Sequence, residues 1–191
     1  MTDRANVADA RADLDDALDR ARDGRPGGFE ELFRATGAAV VGYLRARQVS
    51  DPDGLANEVF LRAFKRLPTF QGDGERFRSW LFTIAHHAAI DDARRRRRRP
   101  KAAPLERALE PVGGDVEDDV VARLASERAR KLLDGLSPDQ RDVLLLRIVA
   151  DCSVEETAIM LGKGYEAVKA LQRRGLAALR RELSSQEGVP R

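Results

Sequence analysis

The stretch SPDQRDVLLLRIVADCSVEETAIMLGKGYEAVKALQRRGLAALRREL, residues 137–183, decides the fold. It opens on Ser137-Pro138-Asp139-Gln140. Serine can cap the free N–H groups of a helix start, proline fits the first helical position, and glutamine sits where a capping box requires it. Val143 to Val149 supply the core face of that helix. Ser153-Val154-Glu155-Glu156 repeats the capping signature and starts a helix reaching Leu161. Gly162-Lys163-Gly164 makes a tight turn, and Val168, Leu171, Leu179 and Leu183 line one face of a last helix. A short helix, a glycine-containing turn and a second, basic helix read as a helix-turn-helix. Its helices are expected at about 153–161 and 165–183. From Lys163 to Leu183 six basic residues stand against two acidic ones. Such a helix can neutralise phosphates while its N-terminal residues face base edges in a major groove. A helical hairpin with a solvated charged face fits the same pattern. Gly175 costs that helix about 1 kcal/mol relative to alanine, so either it admits a close neighbour or it is merely tolerated.

Outward from this unit, the apolar positions Val120, Val121, Leu124, Leu132, Leu133 and Leu136 predict one more helix on its N-terminal side. Before that, residues 100–117 hold Pro100, Pro104, Pro111, Gly113 and Gly114, with five acidic and no basic residues between Glu110 and Val120. That composition reads as a flexible linker. Helical spacing also organises the first half. Ala17, Leu18 and Ala21 share one helix face ending near Gly24 and Pro26, and Phe29, Leu32, Phe33, Val40, Val41, Tyr43 and Leu44 mark a second helix. Leu55, Val59, Phe60, Ala63, Phe64 and Leu67 mark a third, stopped by Pro68. Gln71-Gly72-Asp73-Gly74-Glu75 is a loop by composition. A fourth helix is expected from about Arg76 through Trp80, Leu81, Ile84 and Ile90 into the six arginines Arg94–Arg99. The fold class is therefore all-α: two small helical domains joined by a flexible linker, the C-terminal one a helix-turn-helix. The expected boundaries are 1–99, linker 100–117, 118–185, and a tail 186–191.

Composition narrows the function. Charged residues make up 35% of the 191 and aromatics 5%, with a formal net charge of +2. The charge is segregated: nine basic residues and two acidic ones lie between Arg76 and Lys101, a block that attracts polyanions. An arginine run alone is most often solvated; this one ends an amphipathic helix that also carries Trp80, His86 and His87. The single cysteine, Cys152, allows no intramolecular disulfide and suits a reducing compartment. No signal peptide pattern and no long apolar run is present, so a cytoplasmic protein without membrane insertion is expected.

The chain from Leu14 to about Leu183 resembles the extracytoplasmic-function group of bacterial sigma factors. The likeness is carried by FEELFRATGAAVVGYL, by LANEVFLRAFKRLPTFQGDGERFRSWLFTIAHHAAIDDARRRRR, and by LDGLSPDQRDVLLLRIVADCSVEETAIMLGKGYEAVKALQRRGLAALRREL. The resemblance implies a first domain, region 2, that binds core RNA polymerase and opens the −10 promoter element. It implies a second, region 4, that reads the −35 element. Core polymerase contacts then fall on Asp53, Leu55, Glu58, Val59, Arg62 and Lys65. The −10 contacts fall on Gln71, Gly72, Asp73, Arg76, Arg78, His87, Arg94 and Arg95, with the loop at 71–75 in the base-capturing position. The −35 contacts fall on Lys163, Tyr165, Glu166, Lys169, Ala170, Arg173 and Arg174. The implied partners are core polymerase, promoter DNA and an anti-sigma protein. A chain that is monomeric when free, carries no cofactor or metal, and is no enzyme is expected.

The sequence departs from the family pattern at Gly54 and Asn57, where an acid and glutamine are usual. It departs again at Ala167 and Ala170, which replace hydroxyl residues, and at Leu171, which replaces a frequent arginine. Tyr165, Glu166, Lys169 and Arg173 are thus the expected base readers. Trp80 is expected in the core rather than against a base. Asp91 and Asp92 are expected as caps or arginine partners, and Cys152 as a small residue at a helix boundary. The alternative is a helix-turn-helix regulator acting without polymerase, which would present a ligand pocket or a dimer interface; nothing in the sequence indicates either. A nucleic-acid enzyme would need a phosphate-binding glycine loop or clustered carboxylates, and LGKGYEA lacks the Walker spacing.

Overall fold

The computed structural model describes residues 13–98 and 127–187. The expected linker, the first half of the helix placed at 120–136, and the end of the expected tail lie outside these residues. Helix α1 covers 13–22, α2 Gly28–Ala46, α3 Pro52–Arg66 and α4 Gly74–Arg98, with a 3-10 turn at Leu67–Thr69 between α3 and α4. Then come α5 (Glu127–Asp134), α6 (Pro138–Ile148), α7 (Val154–Leu161) and α8 (Tyr165–Glu187). No strand occurs among the described residues.

Local chemistry sets the ends. Asp51 caps α3 by accepting from the Gly54 N–H, with Pro52 at the first turn. Both expected capping boxes form, on Ser137 with Gln140 and on Ser153 with Glu156. Gly162 ends α7 in the left-handed conformation (φ 61°) that glycine adopts without penalty. Pro68 does not stop the chain's turning; it sits in the first turn of the 3-10 segment, where its missing N–H is no loss. The expected five-residue loop is shorter than its composition implied, because Gly74 and Glu75 already belong to α4.

In the first half α3 packs against both α2 and α4 around Leu32, Val40, Tyr43, Leu44, Val59, Ala63, Phe77, Leu81 and Phe82, all fully buried. Phe29 and Phe33, expected in this core, instead lie on its rim, against Phe64 and Phe60 with ring centroids 4.7 Å apart in each pair. In the second half α8 lies along α6 and α7. Gly175 is where α8 meets α6: a Cβ there would stand 2.8 Å from Leu144 Cδ1. The close-neighbour reading of that glycine is the correct one. Ile148 turns outward from α6, more than half exposed, unlike the rest of the Val143–Val149 run.

The two halves touch. Arg47 and Asp142 form an ion pair with both side chains largely covered. Gln48 Nε2 donates to Asp134 Oδ1 at 3.0 Å, and Arg78 donates from Nε to the Ala150 carbonyl at 3.0 Å and from Nη2 to the Val149 carbonyl at 3.1 Å. Cys152 is buried at this seam.

The adjacent histidines of α4 have opposite fates. His86 is 3% exposed and shares a 2.8 Å hydrogen bond between Nδ1 and the Tyr43 hydroxyl, whereas His87 is exposed. Burial, reinforced by the positive charge of Arg47, lowers the His86 pKa to about 4. Burial likewise pushes the Tyr43 phenol up, so the phenol keeps its proton. The unfolded chain takes up a proton at His86 near pH 6.5 and the folded chain does so only near pH 4. Stability from this site is therefore full above pH 6.5 and falls as pH drops toward 4, by on the order of 3 kcal/mol in total. Urea unfolding at pH 7, 6 and 5 is expected to show a declining midpoint, with roughly 2 kcal/mol lost by pH 5. The decline should be much shallower in His86→Gln, which keeps an acceptor for Tyr43.

Candidate functional site

Three surfaces gather the residues singled out in the sequence. The first is the start of α4 and the loop before it. Phe70 stacks on Trp80 (centroids 4.9 Å apart, 27° between planes) and meets Phe77 edge-on at 5.9 Å. Trp80 is thus half-buried packing that holds Phe70. Gln71 is exposed at the loop's tip. Gly72 has φ +152°, and a Cβ there would meet Arg76 Cβ at 2.8 Å, so only glycine fits. The Asp73 carboxylate caps α4 by accepting from the Arg76 N–H at 2.9 Å. Its first role is local, and its side chain is not free to reach a base while the cap holds. The Arg76 side chain is exposed.

Farther along α4 the side chains divide. Arg78 points at the second half and is engaged by the Val149 and Ala150 carbonyls. His87 lies exposed three turns into the helix, and Arg94 and Arg95 extend the cationic face at its end. Asp91 pairs with Arg94 at 3.7 Å and Asp92 with Arg96 at 2.9 Å; Asp92 also accepts from the Ser50 hydroxyl at 3.0 Å. These carboxylates steady the arginines.

The second surface is α3. Asp53, Glu58, Arg62 and Lys65 are at least partly exposed, and Arg62 pairs with Glu58 one turn away. Arg45 donates to Asp53 at 3.3 Å. Leu55 and Val59, expected on the same contact, are instead in the bundle's own core at 7% and 0% exposure. They share the apolar stripe that faces α2 and α4 and support the surface from beneath. Sequence reading missed Leu61, which is 60% exposed between Glu58 and Arg62. Its signal was its phase: it falls off the 55–59–63 stripe.

The third surface is the start of α8. Tyr165, Glu166, Lys169, Arg173 and Arg174 are all exposed. Lys169 Nζ lies 5.2 Å over the Tyr165 ring and 3.6 Å from Glu166 Oε1. Val168, fully buried, anchors this turn against Val143 and Ala158. Ala170 is half-buried, on the side nearer the core, and Lys163 is tied to Asp139 at 2.8 Å. One flank of the helix tip is thus apolar and seated, and the other presents an aromatic ring, an acid and three cations one to two turns apart.

Residues 32–99 match the family model for Sigma-70 region 2, and residues 132–181 match that for Sigma-70 region 4. The chain is 33% identical over 178 residues to the ECF RNA polymerase sigma factor SigD of Mycobacterium tuberculosis, spanning 89% of this chain and 84% of that one. It is 31% identical over 169 residues to the ECF RNA polymerase sigma factor BldN of Streptomyces coelicolor, spanning 87% of this chain and 64% of BldN. Among solved structures it resembles CnrH in complex with the cytosolic domain of CnrY, with a TM-score of 0.61 and 26% identity, over 91% of this chain and 99% of that one.

The seam between the halves is directly measurable through Cys152. Burial pushes its thiol up to about 11, so little reactive thiolate exists at neutral pH. Asp142→Ala removes the covered partner of Arg47 and leaves that cation unpaired, which weakens the seam. Labelling of Cys152 by an aromatic disulfide reagent at pH 8 is expected to be slow in the native chain and at least about tenfold faster in Asp142→Ala. Fast labelling of the native chain itself would mean that the halves part freely in solution, and equally slow labelling of both would mean that the Arg47–Asp142 pair does not hold the seam.

Proposed function

The chain belongs to the ECF RNA polymerase sigma factors, and from that premise we propose how its surfaces divide the work of initiation. As a sigma factor it binds core RNA polymerase, directs it to promoters and promotes strand opening, and it is an initiation factor rather than a catalyst. The observation that carries the assignment is the seated helix tip at 165–174 together with the exposed loop and arginine-bearing end of α4, two cationic surfaces on separate halves of one chain.

In this reading residues 1–99 form region 2, 100–117 the linker and 118–185 region 4. The exposed face of α3, with Asp53, Glu58, Leu61, Arg62 and Lys65, meets the polymerase core, polar residues surrounding one apolar anchor. The loop around Gln71 captures an unstacked −10 base, and Arg76, His87, Arg94 and Arg95 hold the displaced strand through its phosphates and base edges. Arg78 joins them only when the halves part, since its donors are occupied in the closed form. Tyr165, Glu166, Lys169 and Arg173 read the −35 element, while Lys163 and Arg174 contact its backbone. CnrH is held by the cytosolic domain of CnrY; an anti-sigma protein is expected to restrain this chain in a comparable way, in the cytoplasm. A regulator acting without polymerase gains no support from any observation above.

Pull-down with core polymerase followed by run-off transcription tests the whole assignment. The paired change Glu58→Ala and Arg62→Ala is expected to weaken core binding about tenfold or more without unfolding the chain, because both side chains are solvent-facing. A randomised −35 library transcribed by variant holoenzymes tests the second half. Glu166→Ala and Arg173→Ala should each relax preference at one position, at roughly 1–3 kcal/mol per lost base contact, whereas Arg181→Ala lowers activity evenly or not at all. Unchanged preference in both of the first two variants would refute the recognition-helix assignment.

A further inference from the structure

The −10 loop is gripped from outside the residues that match the region 2 model, by helix α1. Arg22 Nη2 donates to the Gly72 carbonyl at 2.5 Å and to the Phe70 carbonyl at 3.4 Å, and its guanidinium lies 5.4 Å from the centroid of the Phe70 ring. Asp19, one turn earlier, holds Arg22 through a 3.3 Å contact. From the same helix Asp15 Oδ1 accepts the Gly74 N–H at 2.5 Å. A Cβ at Gly74 would stand 2.9 Å from that oxygen and 3.0 Å from Leu14 Cγ, so the fit is close. The two contacts bracket the loop. One fixes the carbonyls on either side of Gln71, and the other fixes the first N–H of α4. Leu14, Ala17, Leu18 and Ala21 are buried in the core of the first half, so α1 is a firm base for both.

We propose that Arg22 and Asp15 are positioning residues for promoter recognition, setting the shape of the 70–74 loop and thereby the identity of the base it accepts. The proposal rests on the reading that this loop captures a −10 base. A loop that must hold a flipped base loses affinity if it has to be ordered on binding, and it loses selectivity if its donors and acceptors can rearrange to suit other bases. Backbone carbonyls have no strong geometric preference of their own in a glycine-containing loop. A guanidinium nitrogen that donates to two of them removes that freedom, and charge-assisted hydrogen bonds are stronger than neutral ones. Arg22 serves both carbonyls from Nη2 while Nη1 contacts Asp19 and the guanidinium lies over the Phe70 ring; lysine has one nitrogen for all of these contacts, so it holds the loop less completely. Asparagine at position 15 keeps an acceptor for the Gly74 N–H but loses the charge that strengthens the bond.

The test uses holoenzymes carrying Arg22→Ala, Arg22→Lys, Asp15→Asn, or a Gly-Ser replacement of 71–73. Each is measured for core binding, for permanganate reactivity of −10 thymines, and for affinity toward fork-junction DNA with each of the four bases at every −10 position. The native chain is expected to discriminate at the captured position. Arg22→Ala should reduce that discrimination about tenfold with core binding unchanged, Arg22→Lys should retain an intermediate part of it, and Asp15→Asn should show a smaller loss. If the loop replacement flattens discrimination while Arg22→Ala and Asp15→Asn leave it intact, the positioning role is wrong. An even loss of affinity for all bases in Arg22→Ala, with preference preserved, likewise overturns it and leaves Arg22 a general prop. If the loop replacement itself preserves base preference and strand opening, the base-capture reading falls instead.

Discussion

Burial of one face of α4 is the constraint from which the candidate surfaces of the first half follow. Phe77, Leu81, Phe82, Ala85 and Ala88 have no exposure at all, and each large one contributes roughly 1.5–3 kcal/mol by leaving water. With that stripe seated against α2 and α3, the helix cannot rotate. At 25 residues it is about 37 Å long, so a single rigid element carries the loop at its beginning and the arginines at its end. Rotation fixed in this way sends His86 inward to Tyr43, His87 outward to solvent, and Arg78 toward the second half. The groups proposed to capture a base and to hold the displaced strand are therefore at fixed separations before any DNA arrives, which would reduce the ordering cost of binding.

The electrostatics follow from this rigidity. Five arginines, Arg94–Arg98, project from the last turns of α4, favourably placed against the partial negative charge of a helix C-terminus. Asp91 and Asp92 offset two of them locally, and Asp92 is itself held by Ser50. The result is a cationic end that is oriented and partly neutralised rather than a loose polycation. In the second half the arrangement is complementary. Buried Val168 seats the tip of α8, and the exposed cations are spread along the helix beyond it.

The contact between the halves mixes two kinds of interaction. Apolar side chains from both sides form one continuous core cluster that includes Cys152. The named links across it are nevertheless mostly polar: Arg47 with Asp142, Gln48 with Asp134, and Arg78 with two carbonyls. A polar contact between domains is the kind that opens without unfolding either side. Arg78 belongs to this seam and is also one of the residues proposed for −10 contact, so in that proposal closure and DNA binding draw on the same guanidinium.

The sequence by itself determined the all-α class, both capping boxes, the helix-turn-helix and the charge segregation, because these are short-range matters. A cap needs only residues three apart, and an amphipathic stripe needs only the 3.6-residue period. The likeness of the quoted motifs to a known family added the division into a polymerase face, a −10 surface and a −35 surface. Only the tertiary structure separated His86 from His87 and moved Phe29 and Phe33 to the rim. It alone tied Arg78 to Val149 and Ala150, and brought Arg22 and Asp15 to a loop some fifty to sixty residues away. The physical reason is that periodicity names a face without naming what covers it. Which of two adjacent histidines is buried against Tyr43, and which arginine is spent on a carbonyl, depend on neighbours that the chain brings together only after folding.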